Sequence, residues 1–438
     1  MAEWHIPEEL LAQFLRLEAP REDSRRVVRH LLTGCPQCLE MARQVTTGGK
    51  VGWEAAYEEV FARTLAFASE EERRLALEKL QGWALWAEIE PLAPQLRFEA
   101  VESDPRFHTF GFYQRLLEAS RWYGRREPAE GVDIGRLAVL VTERLDASRM
   151  GEDRIADLRA SAWAALGNAS RIAEDFEGAR RAFNEAWRLL ESGTGDPVEE
   201  ANLISLEASY MKDIGEFERA ESSLAEALEM YRRTGNTHQQ GRVLLKMGEI
   251  IGHLHPERGI AHIKQAMALV EIAKEPRLGI CAQHALAWFL NDNAQPEEAL
   301  AVLEQARPLY RQFQEELIQL RLHWLEGRIA YRLGQYEGAE RILVQLWDEL
   351  RARDLHQEVV LVTIDLAQVL AAQGEPARAA RLAAECYSIM KNWGLHKDAL
   401  AAWVVFQEAL SQGRALGDLF KQIDQYYRRY WFIPGPFV

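Results

Sequence analysis

Cys35 and Cys38 are separated by two residues in the segment HLLTGCPQC, His30–Cys38. That spacing lets two thiolates grip one tetrahedral ion from a tight turn, and Gly34 and Pro36 suit such a turn. His30 lies four intervening residues before Cys35, near the end of a helix expected from about Asp23. His5 lies 25 residues further upstream. Three or four ligands, from His5, His30, Cys35 and Cys38, can therefore be assembled, and the ion expected for such a set is a single zinc. Two other readings of the same residues stand beside this one. The segment can be a metal-free helix-turn-helix corner in which both cysteines are small buried hydrophobes, or a redox pair. No βαβ pattern surrounds the motif, which weighs against redox chemistry.

A second group of residues could do binding chemistry. Arg321, Trp324, Arg328, Tyr331 and Arg332 recur at helical spacing. Arg and aromatic anchors dominate peptide and protein interfaces, and three Arg can receive a carboxylate or phosphate. Asn168, Arg171, Asn202, Ser209, Lys212, Glu249, His253, His284, Trp288 and Asn291 fall at matching places upstream. Of these, Arg171, Lys212 and Trp288 join the Arg-rich set as expected partner-binding residues. The alternative is a solvated face with Trp324 buried against its neighbour. The positions do not reproduce a two-carboxylate clamp. His253, His255, Glu257 and His262 gather around Pro256 as a solvated loop, and Cys281 with His284 offers only two ligands. There is no Gly-rich phosphate loop, no HExxH and no nucleophile elbow, so no enzyme is expected.

The elements that must hold these residues are helices. The chain has 438 residues, 27% charged and 48% hydrophobic, as in soluble globular proteins. Lys+Arg total 52 against 67 Asp+Glu, a net charge of −15. Such a balance opposes bulk wrapping of nucleic acid. No apolar run is long enough to span a bilayer, and Met1–Pro20 lacks a basic segment followed by an apolar core. Four cysteines make no disulfide framework, so the expected compartment is the cytoplasm. No stretch alternates with period two, and the expected class is all-α.

One pattern recurs six times. Small residues stand mid-helix at Gly167, Ala208, Gly248, Ala287, Gly327 and Ala367. An aromatic residue or Pro marks the turn at Phe176, Phe217, Pro256, Pro296, Tyr336 and Pro376, and a small residue follows three on, from Ala179 to Ala379. Phe110–Tyr123 and Ile134–Leu145 form a degenerate first repeat around the turn GRREPAEG, Gly124–Gly131. Small residues let paired helices approach closely, and pairs that cannot bury their apolar faces alone stack into a continuous core. The segments GEFERAESSL (Gly215–Leu224) and GQYEGAERIL (Gly334–Leu343) resemble the second half of a tetratricopeptide repeat. The resemblance covers roughly Ala160–Trp393, with a period near 40 in place of the usual 34. It implies a right-handed superhelix whose first helix of each pair lines the concave side.

The N-terminal segment resembles the zinc-binding anti-sigma domain, a four-helix unit with a His-x3-Cys-x2-Cys signature and an upstream His. Helices are expected at Glu8–Leu17, Asp23–Leu32, Gln37–Val45 and Trp53–Phe67. The gap from His30 to Cys35 is one residue longer than that signature. The resemblance implies zinc on His5, His30, Cys35 and Cys38, and a sigma factor as partner. The expected organisation is 1–50 as the finger-like unit, 51–107 as a helical connector, 108–415 as the array, and 416–438 as a capping helix and aromatic tail. The chain then reads as a cytoplasmic regulatory scaffold that binds a protein or peptide. A ligand- or peptide-sensing regulator is the alternative, and an enzyme a distant third. In the tail, Trp431, Phe432 and Phe437 either fold back as a lid or dock on another surface.

Overall fold

The computed structural model describes residues 5–15, 19–20, 23–24, 26–27, 30, 35, 37–38, 40–41, 73–74, 76–272, 275–313, 315–393, 397–412 and 417–430. The expected helix Trp53–Phe67 and the tail residues Trp431, Phe432 and Phe437 lie outside these. The chain divides into two compact units, Met1–Ala87 with Phe110–Phe112, and Glu88–Thr109 with Tyr113–Val438. Among the described residues every regular element is a helix.

The first unit contains α1 (Glu8–Leu15). Among its described residues Ile6, Leu11, Val27 and Cys38 are buried together, with Leu10, Phe14, Cys35 and Met41 packed against them, and Trp86 and Phe112 are buried as well.

The second unit opens with α2 (Pro94–Ser103), α3 (Phe110–Gly124, from Tyr113 on in this unit), α4 (Pro128–Arg144) and the single turn α5 (Ala147–Met150). Six pairs follow: α6 (Glu152–Ile172) with α7 (Phe176–Leu190), α8 (Pro197–Asp213) with α9 (Phe217–Arg233), and α10 (Thr237–Gly252) with α11 (Pro256–Leu269). Then come α12 (Pro276–Asp292) with α13 (Pro296–Tyr310), α14 (Glu316–Arg332) with α15 (Tyr336–Arg351), and α16 (His356–Ala372) with α17 (Pro376–Trp393). A last pair, α18 (Lys397–Ser411) and α19 (Gly417–Tyr430), ends the described chain.

The residues expected in the turns are in fact the first residues of the second helices. The fixed φ of Pro suits that position, where its missing N–H costs nothing. The same rule shortens the first turn, because Pro128 already starts α4. The bend itself is a left-handed residue two positions earlier: Glu174, Gly215, Ala294, Gly334 and Gly374 all have φ between 57° and 83°. Behind each, an N–H reaches back five residues, as from Glu216 to Met211 and from Gln295 to Leu290 (2.8 and 2.9 Å). This is the Schellman closure that satisfies the last carbonyls of the first helix.

The small residues do what close packing requires. A Cβ on Gly327 would stand 2.7 Å from Leu343, and one on Gly259 would stand 2.5 Å from the Cα of Gly252. Ala208, Ala287 and Ala367 are fully buried. One continuous core results, running from Ala201 to Tyr427. Within it α19 buries Phe420, Ile423 and Tyr427, with Tyr427 against Trp403 and Phe420 against Phe406. The helix expected to close the array therefore shares its core. Ion pairs tie first helices to first helices, as in Arg242–Glu275 and Arg277–Glu315, and second to second, as in Arg258–Glu221 and Arg378–Glu340.

Candidate functional sites

In the first unit, ligand atoms of His5, His30, Cys35 and Cys38 all lie within 4.8 Å of one another. The His5 Nδ1 stands 3.5 Å from the Cys35 Sγ and 3.7 Å from the Cys38 Sγ. In a tetrahedral site with Zn–S of about 2.3 Å and Zn–N of about 2.0–2.1 Å, an N···S edge measures about 3.6 Å. The donor set and its spacing thus fit zinc. The Ile6 N–H donates to the Cys38 Sγ at 3.4 Å, the kind of outer contact that favours a thiolate. Burial pushes the Cys38 thiol up, a cost that a bound cation would reverse. Four protein ligands leave no open position, so such an ion would be structural.

In the array, the polar residues of the inner face collect into two clusters. At the first, Arg171 is buried and donates to Asp213 (2.5 Å) and to Asn168 (3.0 and 3.2 Å). Lys212 sits 3.4 Å from the same Asp213, its pKa lowered by burial. One helix pair further on, Lys246 donates to the Ser205 carbonyl (2.7 Å) and to the hydroxyls of Ser205 and Ser209 (3.1 and 3.2 Å). Burial depresses Lys246 to about 7 and raises Glu249, one turn along α10, to about 7. The Glu249 Oε1 is buried with no hydrogen-bond partner among the described residues.

The second cluster is aromatic. The Trp288 and Trp324 rings meet edge to face at 5.4 Å, and the Arg328 guanidinium lies 4.4 Å from the Trp288 ring centre. Asp365 accepts from the Trp324 indole (2.6 Å) and twice from Arg328 (3.2 Å), while Asp292 accepts from Arg328 at 2.5 Å. Burial opposes the charge on Arg328, but the two carboxylates outweigh it and raise its pKa. His284, bonded to the Tyr310 hydroxyl at 2.5 Å, is pushed down to about 3 by burial and by Arg321, and stays neutral.

Trp324 and Arg328 are thus committed within the array, and Trp324 is buried against the neighbouring repeat. Tyr331 and Arg332 continue from them into a cavity of about 560 Å3 at the C-terminal ends of α10, α12 and α14. Asp365 and Gln368 of α16 and Phe420 and Asp424 of α19 complete its wall. Asn291 also lines it, only 1% exposed, with an Oδ1 that has no partner among the described residues. Arg332 is exposed.

Lys246 and Asp365 escaped the sequence reading. A signal existed: both stand two residues before the mid-helix small residue, where the other repeats carry Ala165, Leu206, Ala285 and Leu325. A charge that interrupts an apolar repeat position marks a site needing a partner.

No protein-family model matches the sequence, and no curated protein does. Among solved structures the chain is similar to a Rap protein complexed with Competence and Sporulation Factor. The TM-score is 0.55 at 16% identity, over 72% of this chain and 87% of that one. It is also similar to aspartyl phosphate phosphatase F from Bacillus subtilis, with a TM-score of 0.50 at 14% identity over 89% and 96%. At these identities the likeness carries the fold: an all-helical, tetratricopeptide-like repeat array. No helix among the described residues is long and apolar enough to cross a membrane.

Proposed function

We propose that this protein is a regulatory adaptor, without catalytic activity of its own, that holds a peptide or protein segment in the cavity between α10 and α19. The observation that carries the reading is Asn291, an unmet acceptor at the wall of a 560 Å3 cavity. A buried acceptor without a donor costs about 1–3 kcal/mol, which a ligand N–H would recover. Arg332 and Asp424 supply opposite charges around it. The Rap protein similar in fold was solved in complex with Competence and Sporulation Factor, which supports a binding role for such arrays.

A peptide selected from a display library against the full chain tests this. Arg332→Glu, at an exposed position, should weaken that peptide about tenfold at unchanged helicity. Unaltered affinity in this variant and in Asn291→Ala would remove the cavity from consideration.

The N-terminal unit is proposed to carry one zinc ion on His5, His30, Cys35 and Cys38 and to contact a second protein, a sigma factor by its resemblance to anti-sigma domains. The four converging ligands support the metal. A pull-down with RNA polymerase holoenzyme components tests the partner, and retention of no sigma subunit would reject it. Action in the cytoplasm belongs to the same proposal.

A further inference from the structure

The coil of the array brings the end of α3 beside helices far along the chain. Arg126, in the turn after α3, donates to Glu315 just ahead of α14 at 3.1 Å, across 189 residues. Glu315 is also the carboxylate that Arg277 of α12 holds. One pair earlier, Glu275 accepts from Arg242 of α10 at 2.5 Å and from His238 at 3.2 Å. Both carboxylates in this gap are therefore already taken.

Arg121 and Arg125 are left over. Arg121 bonds only to the Leu117 carbonyl (3.2 Å), and neither residue forms an ion pair among the described residues. The Arg125 Nε is buried with no hydrogen-bond partner. Arg121 is exposed and Arg125 half-buried, and a like charge stands near each, Arg242 for Arg121 and Arg277 for Arg125. Arg121, Arg125, Arg126, Arg242 and Arg277 thus meet Glu275 and Glu315 here, and the next carboxylate along α3, Glu118, pairs with Arg115 at 3.6 Å, in a chain of net charge −15.

We propose that the gap between the end of α3 and the first turns of α10 and α12 is a second binding site, for an acidic peptide segment whose carboxylates engage Arg121 and Arg125. This rests on the peptide-binding reading and names the chemistry of the partner. Arg121, in the last turn of α3, and Arg125, the residue that follows the helix, are four positions apart, and side chains at that spacing on a helix start about 5–6 Å from one another. Alternate residues of an extended strand are about 6.6–6.8 Å apart, so a Glu-x-Glu spacing meets both. The starts of α10 and α12 add the positive ends of two helix dipoles. Trp122, 46% exposed and stacked by Arg126 at 4.0 Å, flanks the gap as an apolar platform. The net charge of −15 repels a polyanion on average, so a local excess of arginine favours where it lands.

The probe is a fluorescein-labelled octapeptide of four Glu-Ser repeats, with four Gln-Ser repeats as control, titrated by anisotropy against the full chain. The Glu peptide should bind about tenfold more tightly, and raising ionic strength from about 0.05 to about 0.2 M should weaken it. The double variant R121E/R125E should lose at least about tenfold. If it does not fold, R121Q/R125Q, checked by circular dichroism, replaces it. Equal binding of the two peptides, or wild-type affinity in the folded double variant, overturns the proposal. Loss of the Glu peptide in Arg332→Glu would also overturn it, by placing the peptide in the cavity. A failure here with the selected peptide still sensitive to Arg332→Glu leaves the cavity reading standing.

Discussion

The two units are held together by different means. Among its described residues the N-terminal unit gathers Ile6, Leu11, Val27 and Cys38 into one buried cluster beside α1 and brings four side chains able to ligate a metal together there. The array buries a continuous core from Ala201 to Tyr427 and spends its polar side chains on one another. A small core cannot outweigh chain entropy and needs a staple, whereas stacked repeats draw stability from their neighbours. Loss of one ligand should therefore act on the whole N-terminal unit, and loss of one pair only on neighbouring helices of the array.

The largest expected effect follows from that contrast. Purified full-length protein should contain about one zinc per chain, and a structural site of this kind contributes about 10–16 kcal/mol of apparent binding energy. Cys38→Ser should release the metal and melt the N-terminal unit while the array's thermal transition stays in place. A metal content near zero, with Cys35→Ser and Cys38→Ser folding as wild type, would leave the metal-free corner as the correct reading. A shift of the array's transition would break the comparison instead.

Next in size is Asp365→Ala. It strips Trp324 of its acceptor and leaves Arg328 buried with one bonded carboxylate, Asp292, in place of two. Breaking such a buried pair costs about 3–5 kcal/mol. Urea unfolding should show that loss in the array's transition, with zinc content unchanged. A loss under about 1 kcal/mol would mean that water enters and screens the pair.

The pH dependence separates the units further. Lys246 is depressed from 10.5 to about 7, so the stability it offers in alkaline solution is lost as pH falls towards 7. Glu249 is raised from 4.5 to about 7, so the stability it offers in acid is lost as pH rises towards 7. The two slopes meet, and this pair's contribution to the array is lowest near pH 7. Thermal melts of Lys246→Met/Glu249→Gln should lack that minimum. If the variant keeps it, other groups set the profile.

The repeat was legible because three kinds of position keep a common step, and packing leaves no freedom there: Ala179, Ala220, Ala299, Ala339 and Ala379 are all fully buried. The convergence of Cys35 and Cys38 was legible from their x2 spacing, since a short loop fixes its own geometry. The pairing of inner-face charges was not. Arg328 looks the same in sequence whether it meets solvent, a ligand or Asp292 and Asp365, because those partners lie 36 and 37 residues away. The Arg121–Arg125 gap was further out of reach, since it depends on how the coil closes over 189 residues.

The smallest prediction concerns the turn that sets each pair's angle. Five turns share one geometry, and three of them place Gly at the left-handed position: Gly215, Gly334 and Gly374. Ala294 holds the same position at φ 57°, with the same backbone closure from Gln295 to Leu290. A side chain in that region brings Cβ too close to the carbonyl, a cost of about 1–2 kcal/mol. Glycine removes the clash but gains entropy in the unfolded chain, which takes back about 0.4–1 kcal/mol. Ala294→Gly should therefore raise the array's stability slightly, by under about 1.5 kcal/mol. A urea midpoint shifted upward at constant slope would show it. A downward shift would mean that the Ala294 methyl makes a contact worth more than the strain it carries, and that the α12–α13 turn is held by packing rather than by the backbone closure it shares with its neighbours.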